Sequence, residues 1–158
     1  MITEELISLF KRDLKRLFQE IEAYADETTL WQVADGTRNS AGNLCLHLVG
    51  SLQFYVGSTL GNTVYVRNRE AEFSDQHVPQ RQLLGQIEAT SQVVEQTLSG
   101  LSEASLSENY PEQVLGYPMT SRYFLVHLHG HLTYHLGQID YHRRILTGGP
   151  AIRFVALG

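Results

Sequence analysis

The chain holds a single cysteine, Cys45, among 158 residues. That excludes an internal disulfide, and its place in an apolar helical run reads as a small buried hydrophobe in a reducing, cytoplasmic setting. Basic charge is also scarce. Twelve Lys and Arg stand against seventeen Asp and Glu, a formal net charge of −5. Neither Arg67 with Arg69 nor Arg143 with Arg144 makes the clustered face that grips a phosphate backbone, so nucleic acid is not an expected partner. Nowhere do about 18 apolar residues run together, and no membrane span is expected. Met1 is followed by Thr3, Glu4 and Glu5 without a basic leader, as in a soluble, unprocessed chain. Internal repeats, low-complexity tracts and linkers are absent too.

What is present is helical periodicity. Leu6, Phe10, Leu14, Leu17, Ile21 and Tyr24 recur at three and four residues and predict an amphipathic helix over about residues 4–25. Thr3 can cap it, with Glu4 and Glu5 at its positive end. Leu30 and Trp31 precede a polar stretch and are expected to tuck under the bundle. Ser40 caps a second helix over about residues 41–60, apolar around much of its circumference and hence well buried, and Gly61 and Asn62 suit its end. Val64, Tyr65 and Val66, in the long connection that follows, suggest a short strand. Leu83, Leu84, Ile87, Val94, Leu98 and Leu101 mark a third helix from near Pro79 to Gly100. After a second long connection, Thr120 caps a fourth helix through about Leu146, closed by Gly148, Gly149 and Pro150. The fold class is therefore all-α, a four-helix bundle with long connections after helices two and three, forming one domain over residues 1–158. Its tail, with Ile152, Phe154, Val155 and Leu157, is too apolar for full solvation and is expected to pack on the bundle or on a partner subunit.

Five of the seven histidines, at 127, 129, 131, 135 and 142, crowd into the fourth helix. At about 100° per residue, His127, His131, His135, His142 and Gln138 share one stripe bordering the core-facing leucines, whereas His129 points away. Imidazoles beside a core must be hydrogen-bonded or bound to metal. Histidines four apart offer nitrogens on adjacent turns, but three in a row cannot share an ion, because positions eight apart are separated by about 12 Å of rise. The pair is His127 with His131, or His131 with His135. His127, His129 and His142 otherwise read as partly solvated or satisfied groups. His47 is the distant partner, mid-helix between Leu46 and Leu48 with Asn43 and Ser51 a turn to either side. It is satisfied either by a buried carbonyl or tyrosine or by an ion. Three imidazoles would leave a coordination position open, as catalytic sites do. Asn43, Tyr55, His127, Tyr134 and Gln138 are candidates to line the pocket or to orient ligands or substrate around them.

The segments Asn43-Leu-Cys-Leu-His-Leu-Val-Gly50 and His131-Leu-Thr-Tyr-His-Leu-Gly-Gln-Ile139 resemble the DinB-like superfamily of small bacterial four-helix bundles, in helix order and spacing over nearly the whole chain. The resemblance implies a divalent-metal site of His47, His131 and His135, and so selects the pair 131 with 135. It implies zinc or nickel ahead of iron or manganese, a low-molecular-weight thiol as co-substrate, and a homodimer. The family's His-His-Arg-Gly-Gln stands here as Tyr134-His135-Leu136-Gly137-Gln138, which keeps the ligand but lacks the arginine. Three functions compete: a metal-dependent transferase or hydrolase-type enzyme acting with a thiol on a small molecule, a non-catalytic metal-binding or stress-response protein, and a structural bundle with satisfied core histidines. For association, Gly130 and Gly137 lie one above the other on helix four, where small residues permit close approach within the chain or between chains.

Overall fold

Spacing of three and four residues puts Leu6, Phe10, Leu14, Leu17 and Ile21 on one face of α1 (Ile2–Glu22). Each is at most 2% exposed in the computed structural model, which describes residues 2–153. The helix starts earlier than the capping chemistry suggested, so Thr3 lies inside the first turn and is buried instead of capping it. A 3₁₀ turn (Glu27–Trp31), capped by Asp26, folds Leu30 and Trp31 inward. Gly42 makes room for the indole: a Cβ there would lie 2.7 Å from the Trp31 ring.

Ser40 caps α2 (Ala41–Leu52) by accepting from the Asn43 N–H. Leu46 alone in α2 is not buried. The helix runs on through a π-helical stretch (Gln53–Ser58) and a last turn (Thr59–Gly61), then stops at Asn62 in the left-handed conformation, φ 53°. The strand expected at Val64–Tyr65–Val66 does not form. Residues 62–68 are irregular, Val64 and Val66 are almost fully exposed, and the Tyr65 carbonyl accepts from Ser58 Oγ instead of a neighbouring strand. Alternating β-branched residues need a pairing partner, and among the described residues the only bridge is the isolated one between Asn109 and Thr120.

The long connections contain two short helices that periodicity did not show, α3 (Arg69–Ser74) and α5 (Glu103–Ser107). Between them lies α4 (Gln80–Ser99), and α6 (Ser121–Thr147) completes the bundle, capped by Thr120 and ended by Gly148 at φ 67°. α1 packs against α4 and α6, and α2 packs against the same two, so α1 and α2 face each other mainly across the bundle diagonal; α3 lies on α2. Charges taken into the α1–α6 seam are paired: Arg143 Nε donates to Glu20 at 2.5 Å, and buried Asp13 accepts from Arg12, Arg16 and His129. Arg143 also donates to the Pro150 carbonyl, and Ile152 is half-buried, whereas Phe154, Val155 and Leu157 lie outside the described residues. No helix among those described is long and apolar enough to cross a membrane.

Candidate metal centre

Because α2 and α6 are neighbours, His47 on one meets His131 and His135 on the other. One ring nitrogen from each lies within 4.8 Å of the other two, a group able to hold a metal ion. His47 Nε2 and His131 Nε2 are 3.0 Å apart, and the three rings stand nearly perpendicular to one another. Two nitrogens each about 2.1 Å from one ion stand about 3.0–3.4 Å apart, from cis-octahedral to tetrahedral geometry; the His47–His131 pair already stands at that spacing, and three imidazoles are a donor set that such an ion takes.

The outer nitrogens show how the rings are held. Glu72, on α3, accepts from His47 Nδ1 at 2.9 Å, which leaves Nε2 with its lone pair toward the centre. Arg67 forks onto the same carboxylate through Nε at 2.6 Å and Nη2 at 2.9 Å, and also donates to Ser51. Burial opposes charge on Glu72, but the hydrogen bonds from His47 and Arg67 outweigh it and hold the carboxyl below its ordinary range. His135 Nδ1 donates to Gln138 Oε1 at 2.6 Å, freeing its Nε2 in the same way. Burial first, then the neighbouring His135 and His47, push the His131 imidazole down to about 3; burial lowers His135 too. Both are neutral at physiological pH, the state in which imidazole ligates.

The other candidates occupy distinct places. Asn43 is one step removed: its amide donates to the carbonyls of Glu72 and Asp75 at 3.0 and 2.9 Å, so it holds the backbone that presents Glu72. Tyr55 lies under the Arg67 guanidinium, 5.2 Å from its ring centre, and Tyr134 is exposed beside the His135 ring. His127 is exposed, stacked on Phe124 and outside the three-nitrogen group. His142 shares the stripe but not the site: it is buried, accepting from the Tyr24 hydroxyl at Nδ1 and donating from Nε2 to the Gln32 carbonyl. His129 binds Asp13. The sequence reading missed Glu72 altogether. Its one local signal is Gly50, a turn beyond His47, where a Cβ would come within 2.7 Å of Glu72 Cδ.

Two hollows reach the cluster. A narrow cleft of about 200 Å³ touches His47 and His131; a wider one of about 680 Å³, between residues 33–39 and α6, touches His135 and Gln138. A larger hollow, about 900 Å³ between α1 and α4, is lined by no histidine.

A helical bundle with a convergent imidazole group between two of its helices defines the class of protein. The DinB superfamily model matches residues 9–139, and the chain belongs to that superfamily. It is similar in fold to a DinB-like protein from Bacillus cereus, at 16% identity, TM-score 0.74 and 95% coverage of both chains. It is likewise similar to a conserved protein from Enterococcus faecalis, at 17% identity and TM-score 0.71, covering 94% of this chain and 99% of that one. No curated protein matches significantly.

Proposed function

We propose that this protein is a metal-dependent enzyme in which His47, His131 and His135 hold a divalent cation, zinc or nickel ahead of iron or manganese, and a low-molecular-weight thiol is transferred to a small electrophile. The observation that carries it is the convergence of three imidazole nitrogens, two of them with their outer nitrogen anchored on Glu72 or Gln138. When bound, the ion would supply positive charge that favours thiolate over thiol at neutral pH.

The chain's own contributions are separable from the ion's. Glu72 and Arg67 orient His47, Gln138 orients His135, and burial keeps His131 neutral. The two hollows give reactants access from different imidazoles. In the transfer, the sulfur electron pair forms the S–C bond as the leaving group departs with the pair of the bond that breaks, and the thiol proton passes to solvent. The cytoplasm, which keeps such thiols reduced, is the setting that fits this activity. We also assign the protein as a homodimer through α6, whose Gly130 and Gly137 face open space.

A non-catalytic bundle is favoured by one observation, the 3.0 Å contact in which one imidazole can donate to the other with no ion needed. Elemental analysis of untagged protein separates the two. One equivalent of divalent metal is expected, lost in His131→Ala, and a cobalt-substituted site is expected to change its visible spectrum when a thiol is added. Absence of metal, with His131→Ala unchanged in stability, would leave the structural bundle. Tight metal with no thiol response would leave a binding protein.

A further inference from the structure

The narrow cleft beside His47 and His131 has a charge balance unlike the rest of the chain. Two arginines and three histidines are among its ten lining residues, and no carboxylate lines it, in a protein of net charge −5. Arg67 is tied to Glu72 through two of its nitrogens. Arg69 is different: among the described residues no carboxylate pairs with it, and its guanidinium lies over the Phe73 ring, 5.6 Å from the centre. Phe73 in turn lies 4.9 Å from the His47 ring, which sets this unpaired cation one aromatic ring away from the imidazole cluster. His127, stacked on Phe124, adds a ring nitrogen to the same cleft, and Ser51 and Tyr55 add hydroxyls.

A cation with no acidic partner in a cleft without acids favours an anion, and the planar guanidinium fork matches the oxygens of a carboxylate or phosphate. The volume of about 200 Å³ admits one such group and not a whole metabolite, since complete small-molecule sites run to about 300–1,000 Å³. We infer that this cleft seats an oxyanion group of the molecule that acts at the imidazole centre, with Arg69 as its main contact and His127 as a second. The molecule is thereby an acid, a carboxylate, a phosphate monoester or a sulfonate, held at its charged end while its reactive end meets the cluster. That it reacts there rests on the proposed metal-dependent activity; that an anion binds there does not.

The test uses the full chain, stripped of metal and dialysed, titrated with inorganic phosphate and with acetate by calorimetry at low ionic strength. Saturable binding of at least one anion at one site per chain is expected. Arg69→Gln should weaken it about tenfold or more, the loss of a charge-assisted fork, and His127→Gln should weaken it less. Arg122→Gln removes the same charge from an exposed pair with Glu103 and should leave the affinity unchanged. The tighter of the two anions identifies the kind of acid. No saturable binding, or equal effects of Arg69→Gln and Arg122→Gln, overturns the seat. Arg69 is exposed and capable of replacement without a cost to the core. Metal re-uptake measured on portions of the same stripped preparations keeps the questions apart: metal uptake without Arg69-dependent binding sinks the seat alone, and Arg69-dependent binding without metal uptake sinks only the metal centre.

Discussion

At Gly50 a methyl group would take the place of the Glu72 carboxyl, which is itself fixed by His47 and by the Arg67 fork. Two effects of Gly50→Ala therefore oppose each other. Alanine in a helix interior gains up to about 1 kcal/mol of helix propensity over glycine. Displacing Glu72 removes the acceptor that sets the His47 tautomer, and partners of this kind are worth about 10–100-fold in metal affinity. The second effect acts on the centre and the first does not. Glu72→Ala is accordingly expected to weaken divalent-metal binding about 10–100-fold, and Gly50→Ala to weaken it in the same direction while the helix content is kept. Competition against a chromophoric chelator, with circular dichroism of the same samples, measures both. Unchanged metal affinity in the two variants would show that Glu72 pairs with His47 without tuning it.

Between elements, His142 does for the bundle what the cluster histidines do for the centre. Its Nδ1 accepts from Tyr24, just past α1, and its Nε2 donates to Gln32, just past the 3₁₀ turn, so one neutral imidazole ties both segments to α6. Burial lowers its pKa, and protonation would remove the acceptor that Tyr24 uses. An unfolded histidine takes up a proton below about pH 6.5. The native one does not until lower pH, so the unfolded state binds more protons and stability falls as the pH drops through 6.5. In chelator, wild-type protein should lose more stability to urea between pH 7.5 and 5.5 than His142→Gln does; parallel losses would mean that His142 titrates alike in both states. The same helix shows what sequence can reveal. Ser40, Thr120, Asn62 and Gly148 were legible as helix ends because capping is local chemistry, and His127–His131 and His131–His135 were legible as the two candidate pairs because one helical turn is local too, the choice between them coming from the family resemblance. Helical angles alone could not tell His142 from His135, since their difference lies in what α1 and the 3₁₀ turn bring against each. Glu72 was out of reach for the same reason: it is 25 residues from His47, on a six-residue helix whose place is set by Asn43 bonding the carbonyls of 72 and 75.

For the whole molecule, the outer face of α6 is the surface the bundle leaves unexplained. Tyr123, Val126, Tyr134, Tyr141 and Ile145 are each more than half exposed, and with Gly130 and Gly137 they fall at spacings of three or four residues. That is a seam about 100° wide along a 27-residue helix, the pattern of a helix packed against another helix. Among the described residues Tyr117 touches it at Tyr123, and its other side chains stay more than half exposed. A Cβ at Gly130 or Gly137 would meet no atom within 4 Å, so the small residues do not serve an approach inside the bundle. A second copy presents the same seam, so α6 can pair with α6 about a two-fold axis through one patch used twice. Sedimentation equilibrium should then give twice the 17.9 kDa chain mass. Gly137→Arg should return the mass to one chain without unfolding the bundle, because the added side chain enters open space in the single chain and a closed seam in the pair. A wild-type monomer, or a dimer indifferent to Gly137→Arg, would move the association elsewhere or remove it. The wide hollow makes the outcome matter for the centre as well. Tyr134, Tyr141 and Ile145 line both the seam and the space next to His135, so a partner docked on α6 would narrow the entrance through which a reactant reaches that imidazole.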